Sequence, residues 1–217
     1  YDLNSKFSFL LGERDKLSVS SYYGSDFLGL SAQFGFGWSN WVSSITWTRN
    51  ISDNMFFDLN AYHSTYQYNV NFDDPDSGFK WRNTLAESGL KATWTYQATE
   101  STVLNWGAHS QLYGFSPISL DPAPESSIDP FATNPRNGLQ NNIFFGATTE
   151  INPKLSIEAG LRWSIYQQQG RGVDYIYEGG KPNPRAEITD SLVYGRFEKI
   201  KSFQGLEPRF AARYLLN

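Results

Sequence analysis

The stretch LSIEAGLRWSIY, Leu155 to Tyr166, puts a large or apolar side chain at every second position: Leu155, Ile157, Ala159, Leu161, Trp163 and Ile165. Between them stand Ser156, Glu158, Gly160, Arg162, Ser164 and Tyr166. Successive side chains of a β-strand point to opposite faces, so this period of two writes one hydrocarbon face and one polar face on a single strand. A helix cannot sort these residues that way, because its repeat is about 3.6. The feature therefore selects an extended sheet with two unlike surroundings.

The same alternation recurs along the chain. It runs through Leu3, Phe7 and Phe9; Leu17 and Val19; Trp41, Ile45 and Trp47; Phe57, Leu59 and Ala61; Leu90, Ala92 and Trp94; Leu104, Trp106, Ala108 and Leu112. It continues through Ile143, Phe145 and Ala147, the opening strand, and Phe210, Ala212, Tyr214 and Leu216. Nine long strands of about ten residues are predicted, longer than the usual five or six. The phase is ambiguous where Phe56 and Phe57 adjoin. Short connections (GERDK, NISDN, QATES, INPK) alternate with long Gly/Pro-rich ones, predicted as loops at 24–35, 71–86, 117–139 and 167–203. Short turns at one rim and long loops at the other, with strands near ten residues, describe an antiparallel up-and-down transmembrane β-barrel. Trp41, Trp106 and Trp163 fall where an aromatic girdle belongs.

Composition narrows the classes. Aromatics reach 17% of 217 residues, charged residues only 18%, and cysteine is absent. No run approaches the ~18 apolar residues of a membrane helix. The formal net charge of −4, without a basic cluster, speaks against a nucleic-acid partner. The absence of Cys removes disulfides, Cys-ligated zinc and thiol nucleophiles. The two histidines, His63 and His109, belong to no catalytic signature, and no phosphate loop, metalloprotease motif or nucleophile elbow occurs. No enzyme is expected. The chain opens on strand-like sequence at Tyr1, without a charged start and an apolar core, and reads as a portion of a longer protein.

The polar faces then line a lumen. They carry Lys91, Thr93, Asn105, His109, Gln111, Glu158, Arg162, Glu207, Arg209 and Arg213. Of these, His109, Gln111, Glu158, Arg162, Glu207, Arg209 and Arg213 are the candidates for lining the lumen or meeting whatever fills it. Tyr113, Tyr175 and Tyr177 are candidates for stacking on a ligand in a vestibule at the long-loop end, or for packing loops together. Asp73, Asp74 and Asp76, beside Gly78, offer the hard oxygens a structural calcium ion takes, and equally the composition of an ordinary turn. No other cofactor is called for.

LSIEAGLRWSIY after EINPKL, followed by a long loop and FQGLEPRFAARYLLN, resembles the barrel of TonB-dependent outer-membrane receptors, especially those of Bacteroidetes-type bacteria. Leu206-Glu207-Pro208-Arg209 and Arg213-Tyr214 carry the resemblance, with the segment GWSNWVSSITWTRNISDNMFFDLNAYHSTYQYNV. The resemblance implies a barrel of about 22 strands filled by an N-terminal plug. It implies residence in the bacterial outer membrane and active uptake of a scarce ligand: an iron chelate, cobalamin or a glycan. It implies partners as well: the lipid bilayer, the plug, a TonB complex reached through an N-terminal part and, for glycan-type members, a surface lipoprotein. On this reading residues 1–217 are part of one barrel domain, without plug or TonB-contact segment. Two other readings stay open: a plugless porin-like channel, and a soluble carbohydrate-binding β-sandwich, whose apolar faces would be core.

Overall fold

The computed structural model describes residues 1–180 and 187–216. It is almost wholly strand, in the order β1 (Asp2–Leu10), β2 (Asp15–Gly29), β3 (Phe34–Ser52), β4 (Met55–Phe72), β5 (Phe79–Thr99), β6 (Thr102–Pro122), β7 (Phe131–Ala132), β8 (Arg136–Asn152), β9 (Leu155–Gln169), β10 (Gly172–Tyr177), β11 (Ile188–Tyr194) and β12 (Lys199–Tyr214). Nine long strands form one antiparallel sheet, β1-β2-β3-β4-β5-β6-β8-β9-β12, each beside its predecessor. Short β7 adds to β6, and β10 and β11 make a separate two-stranded ribbon.

The expected up-and-down antiparallel order is present, but the sheet stays open. Among the described residues β1 and β12 do not pair with each other, so these strands build a wall rather than a closed ring. Among the described residues no second sheet covers either side. Val70 is the one buried hydrophobic residue among those described, and Leu161, Trp163, Ile143 and Phe145 are between 42% and 61% exposed. The facing layer about 10 Å away that a sandwich requires is not found among the described residues.

The predicted loops are shorter than expected, because the strands overshoot them. β2 and β3 are separated by four residues where a loop over 24–35 was predicted, and β4 and β5 extend to Phe72 and back from Phe79. Strands reach 21 residues. Gly, Asp and Pro marked these segments as loop in sequence. The pairing of Phe36 with Val70 and of Trp81 with both Val70 and Leu120 holds them as ribbon instead. Two long excursions remain: one between β6 and β8, which holds short β7, and one between β9 and β12, which holds the β10–β11 ribbon.

The register fixes the geometry of the wall. One pairing row joins Leu10, Lys16, Thr48, Asp58, Thr93, Gly107, Phe144, Arg162 and Glu207. At Leu10 this row is beside the first turn, whereas Phe144 lies eight residues short of Asn152 at the fourth. The turns thus step about seven residues across six strands. At ~3.3 Å per residue and ~4.8 Å per strand, the strands tilt about 40° from the normal to the turn rim. Strands in closed barrels tilt by this amount.

The apolar side chains follow the rim, not the pairing rows. The row Asp15, Arg49, Phe57, Trp94, Trp106, Phe145, Leu161 begins charged, where it lies at the rim, and becomes apolar as it climbs. The row Val19, Ile45, Ala61, Leu90, Ser110, Asn141 begins apolar and turns polar at its far end, with Gln204 beyond Ile165. An apolar band that follows the turn rim therefore crosses the pairing rows obliquely. Its height follows from β9. Leu155 to Ile165 is ten steps, about 33 Å along the strand and about 25 Å along the rim normal.

Register also resolves Phe56 and Phe57. Phe57 joins the apolar side between Trp47 and Trp94, with ring centroids 5.7 and 4.8 Å away, and Phe56 points to the polar side. Trp94 and Trp106 stack beyond it, 6.5 Å apart and 3° from parallel. At the rim, the Trp47 indole donates to Asp15 Oδ1 at 2.9 Å, and Arg49 lies 3.6 Å from the same carboxylate. This belt of rings ending on a charged pair suits a boundary between hydrocarbon and water.

Candidate functional site

The polar side of β4, β5, β6 and β8 carries one connected hydrogen-bond network. Tyr62 stands opposite Gly89, which stands opposite Gln111, and Gln111 stands opposite Gln140. The Tyr62 hydroxyl donates to Glu87 Oε1, and Gln111 Nε2 donates to the same oxygen at 2.9 Å. His109 Nε2 lies 3.2 Å from the Tyr62 hydroxyl, which also accepts from Gln111 Nε2 at 3.2 Å. Asn142 Nδ2 reaches Gln111 Oε1 at 3.4 Å, Gln140 Nε2 donates to Asn142 Oδ1 at 3.1 Å, and Tyr113 completes the chain on Gln140 at 3.5 Å. Asn142, at 4% exposure, is its buried centre.

Glycine makes room for this arrangement. A Cβ on Gly89 would lie within 2.5 Å of the Tyr62 ring, one on Gly138 2.6 Å from the Tyr166 hydroxyl, and one on Gly107 2.8 Å from the Phe144 ring. Each ring lies over a neighbouring strand's bare backbone, a close approach that glycine permits. The rings rigidify the sheet and fix where their polar ends stand. Removing Glu87 takes the shared acceptor from Tyr62 and Gln111. Glu87→Ala is expected to lower stability by about 1 kcal/mol, with Glu87→Gln recovering most of it, since the network is half-buried and water replaces part of the loss. Urea unfolding of the full-length protein measures both.

His109, Gln111 and Tyr113, singled out in sequence, thus meet in one network. Glu158, Arg162, Glu207, Arg209 and Arg213 lie on the same side, farther along the sheet. Glu207 pairs with Arg162 and Arg209 with Gly160, while Glu158 faces Ala211 and Arg213 faces Ser156. Ser164 donates a short hydrogen bond to Glu207, and the Arg209 guanidinium lies 3.6 Å from that carboxylate. Gly146 and Gly160, opposite each other, floor a notch of about 160 Å³ rimmed by Asn105, Glu158, Arg162 and Arg209. Of this set, among the described residues only Glu207 and Arg209 lie at ion-pair distance. Among the described residues Glu158, Arg162 and Arg213 make no ion pair within 4.0 Å.

Tyr175 and Tyr177 stand apart from Tyr113, on β10 of the separate ribbon, and Tyr175 is 52% exposed. Asp73, Asp74 and Asp76 do not converge. No group of three or more metal-capable side chains occurs among the described residues. Asp74 Oδ1 instead accepts from the amides of Asp76 and Ser77 and from the Ser77 hydroxyl, at 3.1, 2.9 and 2.8 Å. The Ser77 hydroxyl and amide together hold the Asp74 carboxyl below the usual carboxylate range. A depressed pKa stabilises the loop above the unfolded value, near 3.9, and the contribution is lost as pH falls through the folded value. Proteolysis at loop 73–78 is accordingly expected to rise below about pH 4, and Asp74→Ala to raise it at neutral pH; cleavage mapped by mass spectrometry checks both.

Sequence reasoning missed Tyr62, Glu87, Gln140 and Asn142. It missed as well an aromatic patch on the polar side toward the loop end: Phe34 and Phe36 at 5.0 Å, Phe36 and Tyr68 at 6.1 Å, Phe34 and Phe72 at 6.3 Å, Phe72 and Phe79 at 5.8 Å. The signal was the continuing alternation of Tyr62, Tyr66 and Tyr68, obscured by the Phe56–Phe57 phase break and by turn residues around Asp73.

No family model and no curated protein matches this sequence. A solved structure does resemble the fold: BauA, the ferric preacinetobactin receptor from Acinetobacter baumannii, superposes with a TM-score of 0.58 at 12% identity over 97% of this chain. This chain spans 37% of that protein's length, so the likeness shows that these strands follow the path of part of a receptor's sheet.

Proposed function

We propose that this chain is part of the barrel wall of a TonB-dependent receptor in a bacterial outer membrane, and that the whole protein takes up a scarce ligand such as an iron chelate, cobalamin or a glycan. The observation that carries the reading is the oblique apolar band. It follows the turn rim across tilted strands, and on β9 its height of about 25 Å matches the outward apolar belt of outer-membrane barrels. Among the described residues no packing partner requires that geometry, whereas a planar slab of hydrocarbon does. The turn rim then faces the periplasm and the overshooting ribbons project outside.

The polar side lines the lumen in this reading. Its preformed network and charges without ion partners in the wall suit contact with a plug and hydrated ligand better than an empty pore, which favours a plugged receptor over a porin-like channel. The chemistry proposed is binding and passage, with no catalysis. Two measurements test the reading. Full-length protein in bilayers of phospholipid brominated along its acyl chains should show strong quenching of Trp94, Trp106 and Trp163, and undiminished fluorescence would remove the lipid contact. A deletion strain should lose growth on limiting amounts of one iron chelate, cobalamin or glycan; unchanged growth on all three classes, with quenching retained, would leave a barrel of another function.

A further inference from the structure

The β10–β11 ribbon leaves the sheet at Gly170 and returns at Glu198. Its base is tied by backbone bonds: the Gly170 amide donates to the Glu198 carbonyl and the Phe197 amide to the Gly170 carbonyl, both at 2.9 Å. This closure brings Arg171 and Arg196 together, although 24 residues separate them in the chain. The two line a cavity of about 300 Å³ with Asn134, Pro135 and Asn137.

We infer that this cavity is a binding site for an oxyanionic group, a phosphate or carboxylate, held by Arg171 and Arg196. The lining offers two guanidinium forks and two carboxamides, and a guanidinium fork matches the paired oxygens of such groups. Among the described residues neither guanidinium lies within 4.0 Å of a carboxylate. The nearby acid is otherwise engaged: Glu198 Oε2 accepts from the Gly195 amide at 2.7 Å. Arg196 stacks on Phe197, its guanidinium carbon 4.9 Å from the ring centroid, which steadies the plane. Phe197 is held at φ 63°, a left-handed conformation rare for a bulky residue and found where surrounding structure enforces a site. Asn137 is anchored as well, donating through Nδ2 to the Gly170 carbonyl at 3.1 Å.

Asn137 shares its side of the sheet with Ile143 and Phe145, eight residues above Phe145 toward the loop end. The cavity therefore lies on the apolar band's side, beyond its polar edge. The oxyanion could come from a headgroup of the surrounding outer leaflet or from a dissolved anion. The chemistry is the same, and the inference stands on the cavity rather than on transport.

Full-length protein in a non-ionic detergent provides the test. One arm titrates inorganic pyrophosphate and citrate by calorimetry. The other measures phosphorylated glycolipid retained per protein after detergent exchange. Saturable binding in either arm is expected, weakened at least tenfold in Arg171→Gln/Arg196→Gln and in part restored by the double lysine variant. Both arginines are exposed, so the variant should keep the parent's unfolding midpoint, which is checked alongside. Binding only in the first arm identifies a dissolved anion, and only in the second a headgroup; either supports the site. No binding in either arm, or equal binding by the folded variant, overturns it. Because bromolipid quenching is read separately, loss of this site and loss of the membrane reading are distinguishable.

Discussion

Leu161→Arg is expected to cost about 2–4 kcal/mol when the full-length protein unfolds from a bilayer, the range for a cation placed mid-depth on a lipid-facing strand. Leu161 is 48% exposed and sits between Phe145 and Pro208 in the middle of the apolar band. In water an exposed leucine replaced by arginine would change stability by less than about 0.5 kcal/mol. The two surroundings therefore predict effects several-fold apart. Thr93→Arg serves as the control. Thr93 lies on the polar side opposite Asp58, where a guanidinium finds a carboxylate neighbour. It should change stability by less than about 1 kcal/mol. Equal effects at the two positions would mean that both sides meet the same medium, and the membrane reading would fail.

Gly107→Val is the second substitution with a large expected effect. Gly107 is buried on β6 between Thr93 and Phe144, and an added Cβ would meet the Ala92 carbonyl oxygen as well as the Phe144 ring. A side chain can swing aside; a carbonyl already bonded within the sheet cannot. The β5–β6 ladder must shift, at about 3 kcal/mol, the upper end of overpacking costs. Gly205→Val is the contrast, since nothing lies within 4 Å of its Cβ position. That change should be nearly neutral in folding. A Gly107 variant with the parent's urea midpoint would show that the close approach is not structural.

Much of the wall was legible in the amino-acid order. The hydrophobic repeat of β9, β6 and β3 assigned faces correctly because a sheet's period is two and leaves no intermediate choice. The short turns at 11–14, 53–54 and 153–154 were legible from Asp, Asn, Gly and Pro clusters. Strand ends were not. At Gly35, Gly37 and Asn71 the residues have turn character, yet Phe34, Phe36 and Phe72 bind the ribbon together across strands, a contact no local signal encodes. The Tyr62–Glu87–Gln111 network was half legible. Gln111 and His109 announce themselves on a well-phased strand, while Glu87 borders a segment whose Gly and Pro content masked its strand. Arg171 and Arg196 could not be paired from sequence, because their approach depends on the ribbon base closing through backbone hydrogen bonds.

The tilt has a consequence for how substitutions in this wall are compared. Residues joined by one rung of backbone hydrogen bonds do not occupy one depth. Asp15 and Leu161 share a rung, yet the first lies at the rim and the second several residues above it. Tolerance for charge should therefore track distance from the nearest hairpin bend rather than position on a rung. A scan of arginine substitutions aligned by rung would look like noise; realigned by that distance, it would collapse onto a single bell-shaped profile.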